Sequence, residues 1–444
     1  MIEWDARRVA EAAGATLAAA APGGPRRAAI DSRDIEPGDL FVGLAGENFD
    51  GGAFAAQALA AGAWGVLVAP AHAPVESGPG AVLLAPDPLL ALGQLALSWR
   101  RELGCQTVAI TGSTGKTSTK DILAAILADK LRSFSSPRNL NTEIGLPLAV
   151  LAAPMGTEAL VLELAMRGPG QIAELAAICE PDVGVIVNVG PAHLELLGSL
   201  EAVAAAKGEL LEALPDDGTA VIPVAEPLLG PYLRDELHVV RFGNGGEVRL
   251  IKADRDRVVI AADGERIDLE PNFRSAHQLE NLLAAVAAAR ALGVAPQGPL
   301  EVVFSELRGE RIELGDGIVV IDDCYNANPM SMRAALEDLA TSSDGRRVAV
   351  LGDMLELGGS AERFHREVGD QAGQAGVELL ITVGPLAALA GEDFDGEHHH
   401  AVNAAAALSR LEELLQSGDT VLVKGSRSVG LEVIARQLGR RTPS

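Results

Sequence analysis

Short apolar runs of strand length recur along the chain, most of them followed by a stretch whose apolar residues fall three and four apart, the spacing of a helix face. Residues 1–104 predict a loop from Asp31, a short strand over 40–44 and a helix around 54–61. A buried strand over 64–68, a Pro/Gly cluster between Pro70 and Pro88, and a helix near 89–103 complete that unit. Residues 105–312 alternate most clearly. A strand over 108–110 runs into Gly112-Ser-Thr-Gly-Lys-Thr117 and a helical pattern, an apolar run over 159–163 ends in Glu163, and another from Val183 delivers His193 just past its end. A helix over 199–214 has Val203, Leu210, Leu211 and Leu214 as its stripe, and Lys207 falls on that stripe. A helix over 275–286 turns Leu279, Leu282, Leu283 and Val286 inward, with His277 and Asn281 sharing the other face. Residues 313–444 repeat the alternation, with strands over 318–321, 347–351, 379–383 and 420–423. The pattern predicts an α/β chain of three domains built on parallel sheets.

The chain has 444 residues, too many for one core. Hydrophobic content of 48% with 22% charged residues excludes a disordered chain, and aromatics at 3% leave Ala, Val, Leu and Ile to build the interior. No apolar run approaches the roughly 18–20 residues of a membrane span, and the first residues lack the apolar core of a signal peptide. The net charge is 36 − 61 = −25, which repels nucleic acid and leaves anionic ligands to local cations and helix termini. Cys105, Cys179 and Cys324 are sparse and sit in apolar contexts, as expected of buried thiols in a reducing cytoplasm. His398-His399-His400 reads as an exposed loop before a strand, with metal binding the less favoured alternative.

Candidate chemistry centres on Gly112–Thr117. Glycines let backbone amides close around phosphate oxygens, and the following helix N-terminus favours negative charge. Lys116 would reach the terminal phosphates and the Thr117 hydroxyl would hold Mg²⁺. Ile110 stands where the general phosphate loop has its first glycine, so this is the tighter G-x-x-G-K-T form. The bland reading is a Gly/Thr-rich turn, disfavoured because strand, loop and helix stand in the required order. Ligands of open parallel sheets bind beyond the carboxyl ends of the strands, so Lys116, Thr117, Glu163 and His193 are expected to converge. A lysine on an apolar stripe usually snorkels to the rim; the alternative points Lys207 into the nucleotide site. His277 and Asn281 alone would be an ordinary polar face.

Taken together, these residues resemble the Mur ligases of peptidoglycan synthesis, and most closely the members that add D-alanyl-D-alanine. The resemblance rests on separated motifs across essentially the whole chain. Asp31-Ser32-Arg33 and Gly46-Glu-Asn-Phe-Asp-Gly51 look like the family's UDP-sugar-binding N-terminal domain, which implies sugar contacts at Ser32 and Arg33. Gly112, Ser113, Thr114, Gly115, Lys116, Thr117 and Ser118 are similar to its ATP loop. Asn139-Leu-Asn141-Thr142 through Pro147 is similar to its loop between nucleotide and muramoyl substrate, with Asn141 catalytic and Asn139 and Thr142 on the substrate. His193 and Lys207 look like its metal-binding histidine and special lysine. The motifs around Asp322–Pro329, Leu351–Gly358 and Val423–Arg427 mark the D-alanyl-D-alanine-adding members. The chain has His277-Gln-Leu-Glu-Asn281 where the family often has His-Asn-x-x-Asn, and Gly309-Glu-Arg311-Ile where it often has Gly-Arg-Met or Gly-Arg-Leu. His277, Asn281 and Arg311 are placed on ATP by the resemblance.

The resemblance implies an N-terminal UDP-sugar domain (1–104), a central phosphate-loop ATPase domain (105–312) and a Rossmann-like C-terminal domain for the amine substrate (313–444). It implies that ATP phosphorylates the carboxyl terminus of a UDP-N-acetylmuramoyl (UDP-MurNAc) tripeptide and that the D-alanyl-D-alanine amine attacks the acyl phosphate. Two Mg²⁺ ions are implied, one on Thr117 and Glu163 and one near His193. An ammonium cannot ligate a metal, so Lys207 is implied to be carbamylated. Asn326, Asn328, Lys424, Ser426 and Arg427 are implied for the dipeptide, a structural role for Arg427 being nearly as favoured, and Tyr325 reads equally as a hinge or core aromatic. A monomer in the cytoplasm is expected. The competing readings are another Mur-type or folylpolyglutamate-type ligase and, from a different class, a phosphate-loop switch ATPase.

Overall fold

The computed structural model describes residues 3–46, 49–74, 80–137, 139–254, 256–307, 309–343 and 345–440. Glu47 and Asn48 of the Gly46–Gly51 motif therefore lie outside the described residues.

The first unit contains α1 (Ala6–Ala12), β1 (Thr16–Ala19), β2 (Ala28–Ala29), β3 (Leu40–Val42), α2 (Ala55–Ala60), β4 (Gly65–Val68), β5 (Ala81–Leu84) and α3 (Pro88–Leu103). Its sheet runs β1-β5-β4-β3-β2, parallel except for β1. Strand β3 is shorter than the apolar run 40–44. Helix α3 starts where Asp87 accepts from the amides of Leu89 and Leu90, with Pro88 at its first position, and stops at Gly104 in the left-handed region. Such a cap stabilises by about 1 kcal/mol, and proline and glycine mark those two ends for reasons of φ alone. Trp99 of α3 packs edge-on against Trp4, ring centroids 5.4 Å apart.

The central unit begins with β6 (Gln106–Thr111), α4 (Lys116–Leu127), β7 (Ser133–Ser135), α5 (Gly145–Ala152), β8 (Ala159–Glu163), α6 (Gln171–Cys179) and β9 (Val183–Ile186). It continues through α7 (Leu194–Leu197), α8 (Leu200–Glu212), β10 (Thr219–Pro223) and β11 (His238–Phe242). Its sheet, β11-β10-β9-β6-β8-β7, is parallel throughout. The apolar runs of β6, β8 and β9 are buried along almost their whole length, as strands covered on both faces must be. A second sheet, β12 (Arg249–Ala253), β13 (Val258–Ala262), β14 (Glu265–Pro271) and β15 (Gly298–Leu300), is mainly antiparallel and breaks the β-α alternation expected here. Helix α9 (Ala276–Ala291) runs on past the predicted end at 286. It is buried on every side from Asn281 to Ala289, because it lies between α4 and these sheets.

The third unit contains β16 (Glu310–Glu313), β17 (Val319–Asp322), α10 (Pro329–Ser342), β18 (Arg347–Gly352), α11 (Ala361–Gln374), β19 (Leu379–Val383), β20 (Glu397–Ala401), α12 (Ala404–Leu414), β21 (Thr420–Lys424) and α13 (Glu432–Gly439). Its sheet runs β16-β17-β21-β18-β19-β20, parallel apart from β16. The expected α/β, three-domain class with parallel sheets is what forms. The histidine run is a correction. It is not a loop before a strand but the edge strand β20 itself, with half-buried His398 and exposed His400 on the face of the Thr382 hydroxyl (2.9 and 3.2 Å). Pairing along β19 satisfies one side of its backbone, which composition could not foretell. All three cysteines are free and buried.

Candidate active site

The phosphate loop joins β6 to α4 at the carboxyl edge of the central sheet. Gly115 adopts φ +77°, the left-handed region, and a Cβ there would stand 2.3 Å from Asn281 Oδ1. Glycine is needed twice over, for φ and for the approach of α9. The Lys116 ammonium curls back to the Gly112 carbonyl at 2.8 Å. The Thr117 hydroxyl donates to Glu163 Oε2 at 2.7 Å, and Asn141 Nδ2 donates to Glu163 Oε1 at 2.8 Å. Glu163 and Thr117 are buried, and those two bonds satisfy the carboxylate oxygens away from water. Lys120, also buried, holds the chain entering the Asn141 loop by donating to Ser136 O at 2.9 Å. Asn139 and Thr142 are exposed on that loop, and Ser118 is half-buried on the first turn of α4.

Asn188, just beyond β9, was not singled out from the sequence. Its Oδ1 accepts from the Ser113 and Thr114 amides at 3.1 and 2.9 Å, and its Nδ2 donates to Thr114 Oγ1 at 3.0 Å. Those two amides therefore brace the loop from within. The one signal was a polar residue breaking an apolar strand run on the ligand side of the sheet.

His193 follows in a left-handed conformation (φ 55°) as the N-cap of α7. Its Nδ1 lies 2.5 Å from Glu356 Oε2, a close electrostatic contact but not an aligned hydrogen bond. Burial depresses the His193 pKa; Glu356 opposes this, while Lys116 and Lys207 add to it. Lys207 on α8 does not snorkel: it is only 2% exposed. Among the described residues no carboxylate lies within ion-pair distance of it. Burial, then the charge of Lys116, drives its pKa well below the ordinary amine range. The snorkelling alternative fails because α8 is covered by α6 on one side and by Tyr232, whose ring packs on Gly208, on the other.

The third unit closes over this edge. Asn328 caps α10 through a capping box with Ser331, and its Nδ2 reaches the Ser113 carbonyl at 3.2 Å. Met330 packs on Gly190. His277, at the start of α9, is mostly buried; burial lowers its pKa, opposed by Asp323, Asp338 and Glu337 of the third unit. Lys424 is buried and bound to Asp323 at 2.5 Å and to the Asn326 carbonyl at 3.1 Å, so it clamps the loop after β17. Asn326 is exposed, with its own side chain turned back on the Ala327 amide. Ser426 is buried and accepts from the Leu355 amide at 3.0 Å, and exposed Arg427 pairs with Glu432 at 3.6 Å. Arg311 sits on β16, bound to Asp338 and Ser342 of α10. Arg33 is exposed and paired with Asp31 at 2.6 Å, with Ser32 beside it. Among the described residues no group of three or more His, Cys, Asp or Glu side chains is placed to hold a metal.

Three family models match the chain: the Mur ligase family catalytic domain over 28–99, the Mur ligase middle domain over 110–289, and the Mur ligase glutamate ligase domain over 306–427. The UDP-N-acetylmuramoyl-tripeptide--D-alanyl-D-alanine ligase of Bacillus subtilis is 36% identical over 423 residues, covering 92% of each chain. The chain belongs to the Mur ligase family. Among other Mur ligases, the Escherichia coli enzyme of the same name is 34% identical, again over 92% of each chain. The crystal structure of MurF from Acinetobacter baumannii superposes with a TM-score of 0.88 at 30% identity, covering 99% of both chains. That of the Thermotoga maritima MurF ligase in complex with ADP gives 0.80 at 30% identity, covering 94% of this Mur ligase and 97% of that one.

Proposed function

We propose that this Mur ligase joins D-alanyl-D-alanine to a UDP-MurNAc tripeptide at the expense of ATP. The relatives named for that reaction match it across 92% of its length. One observation carries the reading within the site: a loop of the third sheet, through Asn328, lies on the same phosphate loop that holds Lys116 and the Thr117–Glu163 pair. A switch ATPase has no need of an acceptor-bearing unit there.

A carboxylate is a poor electrophile and must be activated. A tripeptide carboxylate oxygen attacks the γ-phosphorus, the bond to ADP breaks, and the amine nitrogen then attacks the acyl carbon. Phosphate leaves with the C–O electrons and the amine gives up a proton. Such transfers depend on positioning and charge neutralisation, which Lys116 supplies directly. The donor set fits magnesium, because a hydroxyl and a buried carboxylate 2.7 Å apart are hard oxygen ligands. An ion held by Thr117 and Glu163 would neutralise phosphate charge. Asn141 orients Glu163, and Asn139 and Thr142 face the muramoyl side in this reading.

A second ion near His193 requires that Lys207 lose its positive charge. Burial and the charge of Lys116 lower the Lys207 pKa, which enlarges the share of nucleophilic free amine at a given pH. Its nitrogen adds to CO₂, one proton is released, and the carbamate carries the negative charge. His277 and Asn281 with the phosphate loop, including Ser118, line the nucleotide, and Arg311 joins them if the third unit shifts. Asn326, Lys424, Ser426 and Arg427 serve the dipeptide side, while Ser32 and Arg33 serve the uridine sugar. The three units take UDP-sugar, ATP and amine respectively, with the second junction ahead of β16, since that strand pairs with β17. The free buried thiols suit a reducing cytoplasm. A monomer suffices, because one chain supplies every group named.

The test is phosphate release by the purified protein with ATP and Mg²⁺. Release that needs both the tripeptide precursor and D-alanyl-D-alanine, with a stoichiometric pentapeptide product, is expected. Equal nucleotide hydrolysis without either substrate would refute the ligase reading in favour of the switch.

A further inference from the structure

Among the described residues, six non-glycine positions have positive φ, and two of them, His193 (φ 55°) and Glu356 (φ 63°), face each other across the junction of the central and third units. Left-handed backbone at such residues is unfavourable and persists only where the surroundings impose it. The surroundings of Glu356 do so. In the loop after β18, the Asp353 amide donates to Val383 O at 3.2 Å and the Met354 amide to His365 Nε2 at 2.9 Å. The Leu355 amide donates to Ser426 Oγ at 3.0 Å. The Asp353 carboxylate accepts from the Ala387 amide at 2.7 Å. His365 is fixed in turn by its Nδ1 on Ala361 O at 2.7 Å. Glu356 closes the contact from both ends: its carbonyl accepts from the Glu195 amide at 3.1 Å, and its carboxylate meets His193 Nδ1. Gly358 packs against the Cα of Glu195, where a Cβ would be 3.1 Å away.

We infer that Glu356 is a positioning residue that the third unit delivers to His193, fixing the ring with its Nδ1–H on the carboxylate and its Nε2 toward the phosphate loop. The inference rests on the ligase reading above. A histidine that works through one nitrogen needs the other held, and a carboxylate is the usual holder. Here the holder is on a different unit from the ring. His193 is therefore oriented only while the third unit is docked, which ties the readiness of the activation site to the presence of the amine-bearing unit. The contact is close but misaligned in the free protein, and bonds of this kind tighten in the substrate complex.

Two readouts test this. Steady-state ligation by Glu356→Ala should show kcat lowered by about 10–100-fold with ADP affinity unchanged by titration calorimetry. Glu356→Gln, whose amide oxygen still accepts from Nδ1–H, should recover most of that loss. Separately, ¹⁵N imidazole spectra resolve the tautomers of the chain's eight histidines. The wild type and the Gln variant should hold His193 as the Nδ1–H tautomer, and the Ala variant should lose that preference. An Ala variant within threefold of wild-type kcat, or an unchanged His193 tautomer in it, overturns the inference. The spectra need no ligation, so a wild-type protein without ligase activity would sink the functional reading while leaving this one to be judged by tautomer. If the Ala variant fails to fold, Glu356→Asp, one methylene short, replaces it in both readouts with the same criteria.

Discussion

Lys207→Met is the most informative single change, because it separates the cost of a buried cation from its use. The Lys207 side chain is 2% exposed, faces the charge of Lys116, and has no carboxylate in ion-pair reach among the described residues. Methionine has nearly its length and no charge. Replacing buried charge with a packed apolar group is neutral or stabilising by about 1–4 kcal/mol, and a partnerless cation belongs at the upper end. For a unit of this size that is a rise of roughly 3–10 °C in apparent Tm. The pH dependence follows from the direction of the shift. The folded pKa lies below the unfolded value of 10.5, so the unfolded state holds the proton more tightly. The penalty is complete below the depressed folded pKa and fades as pH climbs from there to 10.5. The Met variant should therefore melt higher than wild type at pH 7, with the gap shrinking by pH 10. Bicarbonate with Mg²⁺ should stabilise the wild type alone, and ligation should vanish in the variant. The assay is differential scanning fluorimetry of both proteins at matched pH. A Met variant less stable at pH 7, or a gap constant between pH 7 and 10, would refute the reasoning.

Three further changes probe the scaffold of the site. Asn188→Ala removes the acceptor of the Ser113 and Thr114 amides; at about 1 kcal/mol or somewhat more for the lost bonds, ADP affinity should fall about tenfold by calorimetry, and an unchanged Kd would show that the loop needs no brace. Gly115→Ala places a methyl 2.3 Å from Asn281 Oδ1 on left-handed backbone, so ADP binding should be lost while the far-ultraviolet dichroism stays native. His365 is a buried neutral acceptor whose folded pKa lies below its ordinary 6.5. Because the unfolded state protonates first, stability is complete above 6.5 and is lost as pH falls from there toward the folded value, by up to about 1.4 kcal/mol per pH unit. Asp353 is the charged group that opposes the shift. In melts from pH 7.5 to 5.5, His365→Gln, whose amide oxygen can still accept from Met354, should flatten that loss; a parallel slope would exclude His365 as its source.

Local order along the chain determined the elements and the chemistry that sits at their ends. Period and punctuation placed β6, β8 and β9 and the phosphate loop, since an apolar run closed by Gly-x-x-Gly-Lys-Thr has few other ways to satisfy its backbone. Glu163 was legible for the same reason, as a carboxylate at the end of a buried strand. What sequence order could not carry was any relation between surfaces distant in the chain. The histidine run became an edge strand only because β19 was there to pair with it. Helix α9 lost its expected polar face because α4 and two sheets enclose it, which brought Asn281 against Gly115. Lys207 read equally well as rim or interior, and only the packing of α6 and Tyr232 around α8 decided for the interior. Asn188 and Glu356 look like ordinary polar residues in their own segments. Each acquires its role from a partner, the Ser113–Thr114 amides or the His193 ring, that is 74 or more residues away in the chain. Burial and hydrogen-bond partnership are properties of pairs of surfaces, so they exist only once the three units have packed.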